Sequence, residues 1–148
     1  WSMIEYREFD ARLLADVLAI YRNAGWTAYL GDDGRLERAF QNSLYTLGAF
    51  DGGTLAGFVR CVGDGEHILY VQDLIVDIPY KRQGIGSKLL QAAMDRYAHV
   101  RMFALATGAS DPDSNAFYTA MGMRRWEDGG CVGYLRLERV EHPGKELL

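Results

Sequence analysis

The sequence predicts an α/β (α+β) fold whose elements run β-α-α-β-β-β-α-β-α-β-β along the chain. Three observations carry this. Strand-like runs rich in β-branched and aromatic residues are bounded by glycine turns, as at Asp51-Gly52-Gly53 and Gly63-Asp64-Gly65. Between such runs lie stretches whose apolar residues recur at helical spacing. At the centre, a buried strand runs through a basic, glycine-containing turn straight into an amphipathic helix.

Taken in order, residues 4–9 alternate apolar and charged side chains, as a half-buried strand does. Asp10 can cap the next helix, whose stripe is Leu13, Leu14, Val17, Leu18 and Tyr21 and which Gly25 ends. Residues 26–34 form a loop carrying Trp26 and Tyr29, and residues 35–42 a short helix with Leu36, Ala39 and Phe40. Residues 44–50 and 54–62 read as a hairpin, and residues 67–78 as the next strand, ended by Pro79 because proline cannot donate to a sheet ladder. Ile85, Leu89, Leu90, Ala93, Met94 and Tyr97 make the stripe of a helix laid on a sheet. Residues 102–106 are a short continuous apolar run, consistent with a central strand. Asp113 or Ser114 can cap a helix that runs to Met121 and is closed by Gly122. Residues 123–126 and 131–140 read as two final strands around Glu127-Asp128-Gly129-Gly130. One domain over residues 3–140 is expected, with 141–148 a loosely held tail; Met3 reads as the natural start, with Trp1 and Ser2 added ahead of it.

Composition bounds the function. An apolar content of 49% with 12% aromatics suits a compact globular fold, and 148 residues suffice for one substantial core. The net charge of −4, with no block of like charges, gives no support to a nucleic-acid binder. No apolar run approaches membrane-spanning length and no signal peptide is visible, so the cytoplasm is the default location. Cys61 and Cys131 have no metal-ligand spacing and read as two buried thiols; no metal is expected.

The residues that carry chemistry cluster after the strand of residues 67–78. Lys81, Arg82, Gln83, Gly84 and Gly86 lie between strand and helix. A helix start exposes unpaired N–H groups and a partial positive charge, and glycine lets an anion approach closely. This is an anion cradle, most naturally for phosphate. A P-loop would need Gly-Lys-Ser/Thr where the chain has Gly86-Ser87-Lys88. A dinucleotide fingerprint would need a third glycine where Leu89 stands. What remains, basic-x-x-Gly-x-Gly after a strand, resembles motif A of the GNAT superfamily of acetyl-CoA-dependent N-acetyltransferases, with Lys81 where that family usually has Arg or Gln. Phe117-Tyr118-x-x-Met121-Gly122-Met123 is similar to the same family's Phe-Tyr-x-x-x-Gly-Phe segment. The element order matches the family too, which implies a three-layer fold with a mixed central sheet and helices on both faces. The segment Asn23-Ala24-Gly25-Trp26 resembles the arylalkylamine and serotonin branch, and Asp73 the glucosamine-phosphate N-acetyltransferase branch.

The resemblance implies acetyl-CoA as co-substrate. The pyrophosphate would lie on Arg82, Gln83, Gly84, Ile85, Gly86 and Ser87, and the pantetheine arm along the backbone of Leu74, Ile75 and Val76. Either Asp111 or Asn115 would touch the cofactor. Tyr118 would be the general acid for the leaving thiolate, a role open to a phenol; the alternative is a packed aromatic with a satisfied hydroxyl. Asp73, desolvated beside the cofactor strand, would accept the ammonium proton directly or through water; alternatively it orients the amine or is a strand-edge charge. Glu66 and His67 are further candidates for the base. The acceptor is expected in front, among residues 26–33, the second helix and a hairpin near Gly129, with Trp26, Tyr29, Tyr45 and Tyr70 as pocket or core. The expected reaction is direct acetyl transfer to a small-molecule primary amine, without a metal or a covalent enzyme intermediate. The alternatives are a protein or peptide acetyltransferase acting on lysine or the N-terminus, and a non-catalytic CoA-binding sensor. A homodimer formed through the last strands is compatible with the family.

Overall fold

The computed structural model describes residues 3–31 and 33–138. The chain falls into two compact units, Trp1–Leu105 and Ala106–Leu148. The first holds a five-stranded sheet in the order β1 (Ile4–Glu8), β2 (Tyr45–Asp51), β3 (Thr54–Gly63), β4 (Ile68–Val76), β5 (Met102–Leu105). Neighbours from β1 to β4 pair antiparallel, while β4 and β5 pair parallel. A parallel pair cannot be closed by a tight hairpin; here a helix, α3 (Ile85–Arg96), makes the crossover. The sheet is therefore mixed, as expected.

The two faces are covered by different helices. On one face α1 (Leu14–Ala24) and α2 (Arg35–Gln41) contribute Val17, Ile20, Tyr21, Leu36 and Phe40 to a buried cluster with Phe58 of β3 and Ile75 of β4. Gly25 ends α1 in the left-handed conformation at φ 75°, as the sequence indicates. On the other face α3 buries Ile85, Leu89, Leu90 and Ala93, and Tyr97 at its end packs edge-on against Tyr45. Tyr45 is thus a core residue on the α3 side, opposite the face that carries Tyr29.

One irregularity governs the site. Arg60 pairs with Asp73, but the next residue of β3, Cys61, pairs with Val71. Gln72 is the extra residue of a β-bulge. Paired residues share a face of the sheet, so without the bulge Asp73 would lie on Val71's side, over α3. With it, Asp73 turns to the α1 face together with Arg60, Phe58 and Ile75.

In the second unit the helix α4 (Pro112–Ala120) begins two residues earlier than expected. Asp111 is the N-cap, accepting from the Ser114 N–H at 3.1 Å, and Pro112 takes the first turn, where its missing N–H costs nothing. The last strands are a correction. Among the described residues, 123–125 have no regular structure, Trp126–Gly129 form a 3-10 turn, and 131–138 are irregular. A strand exists only with a partner for its ladder. No such partner is present in the described structure, and Tyr134 and Leu135 stand 95% and 72% exposed despite their alternating pattern. Cys131 is exposed as well, so only Cys61 is the buried thiol anticipated. Residues 139–140 and the tail from 141 lie outside the described residues. β4 also stops at Val76 rather than Ile78, because Asp77 leaves the ladder to cap a 3-10 turn, Ile78–Tyr80, that contains Pro79.

Candidate active site

The turn after β4 is built to hold its shape without a ligand. The Asp77 N–H donates to the Ala56 carbonyl at 2.8 Å, and its carboxylate accepts from the Ile78 N–H and Asn23 Nδ2. The Tyr80 hydroxyl donates to Asp51 at 2.9 Å. From this anchored turn the chain passes through exposed Lys81, Arg82, Gln83 and Gly84 into α3. Arg82 has φ 64° and Gly84 φ 78°, two left-handed residues in three, and a non-glycine residue there is uncommon. Gly84 is the N-cap of α3 and no side chain caps the helix. The first N–H groups of a helix lack intrahelical acceptors. A Cβ built on Gly84 meets nothing within 4 Å, so the space in front of the helix is open. The residues present fit a phosphate-bearing group: bare N–H donors, a helix dipole and the exposed cations Lys81 and Arg82. Ile85 is buried in the core, so only its backbone is available for this.

β4 outruns β5. Their pairing ends at Val71 with Leu105, while β3 pairs with β4 on to Val76. Leu74, Ile75 and Val76 therefore have β3 on one edge and no strand of the described residues on the other. An unfilled sheet edge is a template for an extended ligand with its own hydrogen-bonding groups. This edge leads directly into the turn before α3.

Asp73 lies just before that edge and is 1% exposed. Its Oδ1 accepts from the Tyr29 hydroxyl at 2.7 Å; its Oδ2 accepts from the Tyr21 hydroxyl at 2.6 Å and from Arg60 Nε at 2.7 Å. The Arg60–Asp73 ion pair is closed from solvent, and Arg60 Nη1 also donates to Ser43 Oγ at 3.2 Å. Burial pulls the Arg60 guanidinium down, but attraction and hydrogen bonding to Asp73 outweigh it and leave it raised. Burial, and then Asp73, push the Tyr21 phenol well above its ordinary value and Tyr29 up to about 12. Asp73 is thus not a strand-edge charge open to solvent; its burial keeps an ammonium group from direct contact unless the side chains over it move. Tyr21, Arg60 and Gln72 were not picked out from the sequence. A signal for the pair exists: Arg60 and Asp73 are lone opposite charges in two otherwise apolar strands. Glu66 and His67 sit exposed in a turn whose N–H groups are held by Asp64, away from this network.

Tyr29 stacks on Tyr21 with ring centroids 4.4 Å apart, and Trp26 stacks on Tyr21 at 5.9 Å. Trp26 and Tyr29 are half-buried, forming an aromatic cluster beside Asp73; Tyr70 shares their face of the sheet. Asp32, within the same loop, lies outside the described residues.

In the second unit, Asp111 uses both carboxylate oxygens on Ser114, at 3.1 and 2.8 Å. Those hydrogen bonds hold its carboxyl below the usual range. Asn115 spends its amide N–H groups on the carbonyls of Gly108 and Asp111, which leaves Oδ1. Tyr118 is half-buried, and burial followed by the Asp111 charge raises its phenol above the ordinary value.

The model of the acetyltransferase (GNAT) family matches residues 11–123. A GNAT-family acetyltransferase structure from Streptococcus pneumoniae TIGR4 is similar at 34% identity, covering 95% of this chain and 100% of that one, with a TM-score of 0.78. The fold is shared with the aminoglycoside acetyltransferase AAC(6')-Iy in complex with a CoA bisubstrate analog, at 20% identity, 93% and 100% coverage and TM-score 0.71. It is shared equally with a ribosomal-protein-alanine N-acetyltransferase from Brucella melitensis, at 16% identity, 93% and 100% coverage and TM-score 0.70. No curated protein sequence matches the chain. The matched residues run from α1 through the β4 edge and the glycine turn to the end of α4, and on that ground the chain belongs to the acetyltransferase (GNAT) family and is an N-acetyltransferase.

Proposed function

We propose that the chain moves the acetyl group of acetyl-CoA directly onto a primary amine of a small molecule. The observation that carries this is the open edge of Leu74, Ile75 and Val76 leading into the bare start of α3. Acetyl-CoA supplies the acetyl group as a thioester. The backbone N–H groups of Gly84, Ile85, Gly86 and Ser87, with Arg82 and Gln83, hold its phosphates, and the β4 edge holds its extended arm. Asn115 Oδ1, the polar atom left over by the α4 cap, is the cofactor contact, rather than Asp111. Tyr118 donates its proton to the departing thiolate; a raised phenol keeps that proton at neutral pH. The attacking amine loses its proton to water, and Asp73 orients the amine from within its network. Cys61 is buried on the α3 face, opposite Asp73, and burial pushes its thiol up to about 12, which supports transfer without a Cys61 acyl intermediate. The half-buried Trp26 and Tyr29, clustered beside Asp73, favour a small amine over an extended peptide.

The test is release of free CoA thiol from acetyl-CoA in the presence of tryptamine, spermidine, neamine or a short peptide with a free N-terminus. Amine-dependent release with one of the first three is expected. Tyr118→Phe should lower turnover roughly a hundredfold while leaving the acetyl-CoA dissociation constant nearly unchanged, because the hydroxyl acts in the transition state. Tight acetyl-CoA binding with no release for any amine would instead make the chain a sensor, and full turnover in Tyr118→Phe would remove that residue as the acid.

A further inference from the structure

The hydrogen-bond inventory of the Tyr29 hydroxyl is unusually constrained. Asp73, ion-paired to Arg60, can only accept, so Tyr29 must give it its single proton. Gln72 Nε2 donates to the same hydroxyl at 2.9 Å. One lone pair remains. Both other donors to Asp73, Tyr21 and Arg60, are buried, whereas Tyr29 is half-buried and Gln72 exposed. Tyr29 is therefore the one partner of Asp73 that reaches from the core to the surface of the first unit. Its ring is fixed by stacking on Tyr21, so the hydroxyl is held in place before any ligand arrives. The bulge accounts for the arrangement, because it lets the consecutive residues Gln72 and Asp73 both reach the Tyr29 hydroxyl on one face of the sheet.

We propose that the Tyr29 hydroxyl is the specificity-determining contact for the acceptor, an oxygen that can only accept, backed by the Asp73 carboxylate, and that it selects substrates presenting an N–H donor. This rests on the amine-acetylation reading above and deepens it. Asp73 is then a positioning residue: its Oδ1 fixes the direction of the Tyr29 proton while its Oδ2 is paired with Arg60. An ammonium or amine N–H finds a ready acceptor, and a group without a hydrogen to donate leaves that lone pair bare. The bulge residue Gln72 is the second support of the hydroxyl.

The test is equilibrium binding to the protein saturated with CoA, where no acetyl transfer can occur. Tryptamine, spermidine and neamine are titrated by calorimetry, each beside its fully N-methylated quaternary counterpart, which keeps the charge but has no N–H. The wild type should bind at least one amine about 10- to 100-fold more tightly than its quaternary form, the range for a hydrogen bond to a charged group. In Tyr29→Phe that ratio should fall to within about threefold, with the affinity for CoA unchanged. A merely structural role for Tyr29 would weaken both ligands alike and leave the ratio intact. An unchanged ratio in a folded Tyr29→Phe protein, or no preference for the amine in the wild type, overturns the proposal. Thiol release from acetyl-CoA is scored separately: if it fails while the binding ratio behaves as stated, the acetylation reading falls and the Tyr29 site stands as an amine-binding site.

Discussion

Tyr29 shows how a single side chain ties stability to chemistry. Its phenol is pushed up to about 12 from 10.0, first by burial and then by Asp73. A folded-state value above the unfolded one means that the stability it contributes is fully present below pH 10 and is lost as pH rises toward 12. The melting temperature should therefore fall between those values, and fall less steeply in Tyr29→Phe, which has no phenol to ionise there; equal slopes would show that folding does not raise the Tyr29 phenol. The residue-scale features that sequence reasoning reached are those whose chemistry is local. Arg82, Gly84 and Gly86 announce themselves by type and spacing within six positions. Tyr21, Arg60 and Gln72 do not, since each acquires its role only from a partner between 13 and 52 residues away or from a register shift.

At the level of elements, β3 and β4 meet through the buried Arg60–Asp73 pair. Arg60 also lies over the Phe40 ring at 5.1 Å, so the pair ties the two strands to α2 as well. Removing one partner leaves an uncompensated buried charge. Arg60→Leu should lower unfolding free energy by about 3–5 kcal/mol, and Arg60→Leu with Asp73→Leu should recover much of that loss. Urea unfolding checks both; a single variant within about 1 kcal/mol of wild type would mean that water reaches the pair. The strands themselves were legible because alternation and glycine turns bound them. The bulge was not, because it exists only in the register between two strands. The expected strand at 123–126 and the described part, 131–138, of the last one failed for a related reason: strand-like composition does not supply the neighbour that a ladder requires.

Across the whole molecule, the candidate machinery divides between the two units, with the α3 turn, the β4 edge and the Asp73 network in the first and Asn115 and Tyr118 in the second. The family match at residues 11–123 crosses that division. The order of elements from β1 to α4 was readable in the sequence, and with it the glycine turn proposed as the phosphate cradle; the Tyr29–Asp73 network proposed for the acceptor was not, since it depends on a loop residue meeting β4 at the bulge. Everything proposed for this chain depends on acetyl-CoA lying at the start of α3. Gly86 is the informative position, because it stands in the first turn of α3, among the bare N–H groups proposed to hold the phosphates. The decisive measurement is calorimetric titration of acetyl-CoA into wild type and into a Gly86→Val protein shown to melt at a similar temperature. Saturable one-site binding in wild type, weakened at least about tenfold in Gly86→Val by a side chain filling the phosphate site, is the predicted result, and equal affinity in the two folded proteins would contradict it.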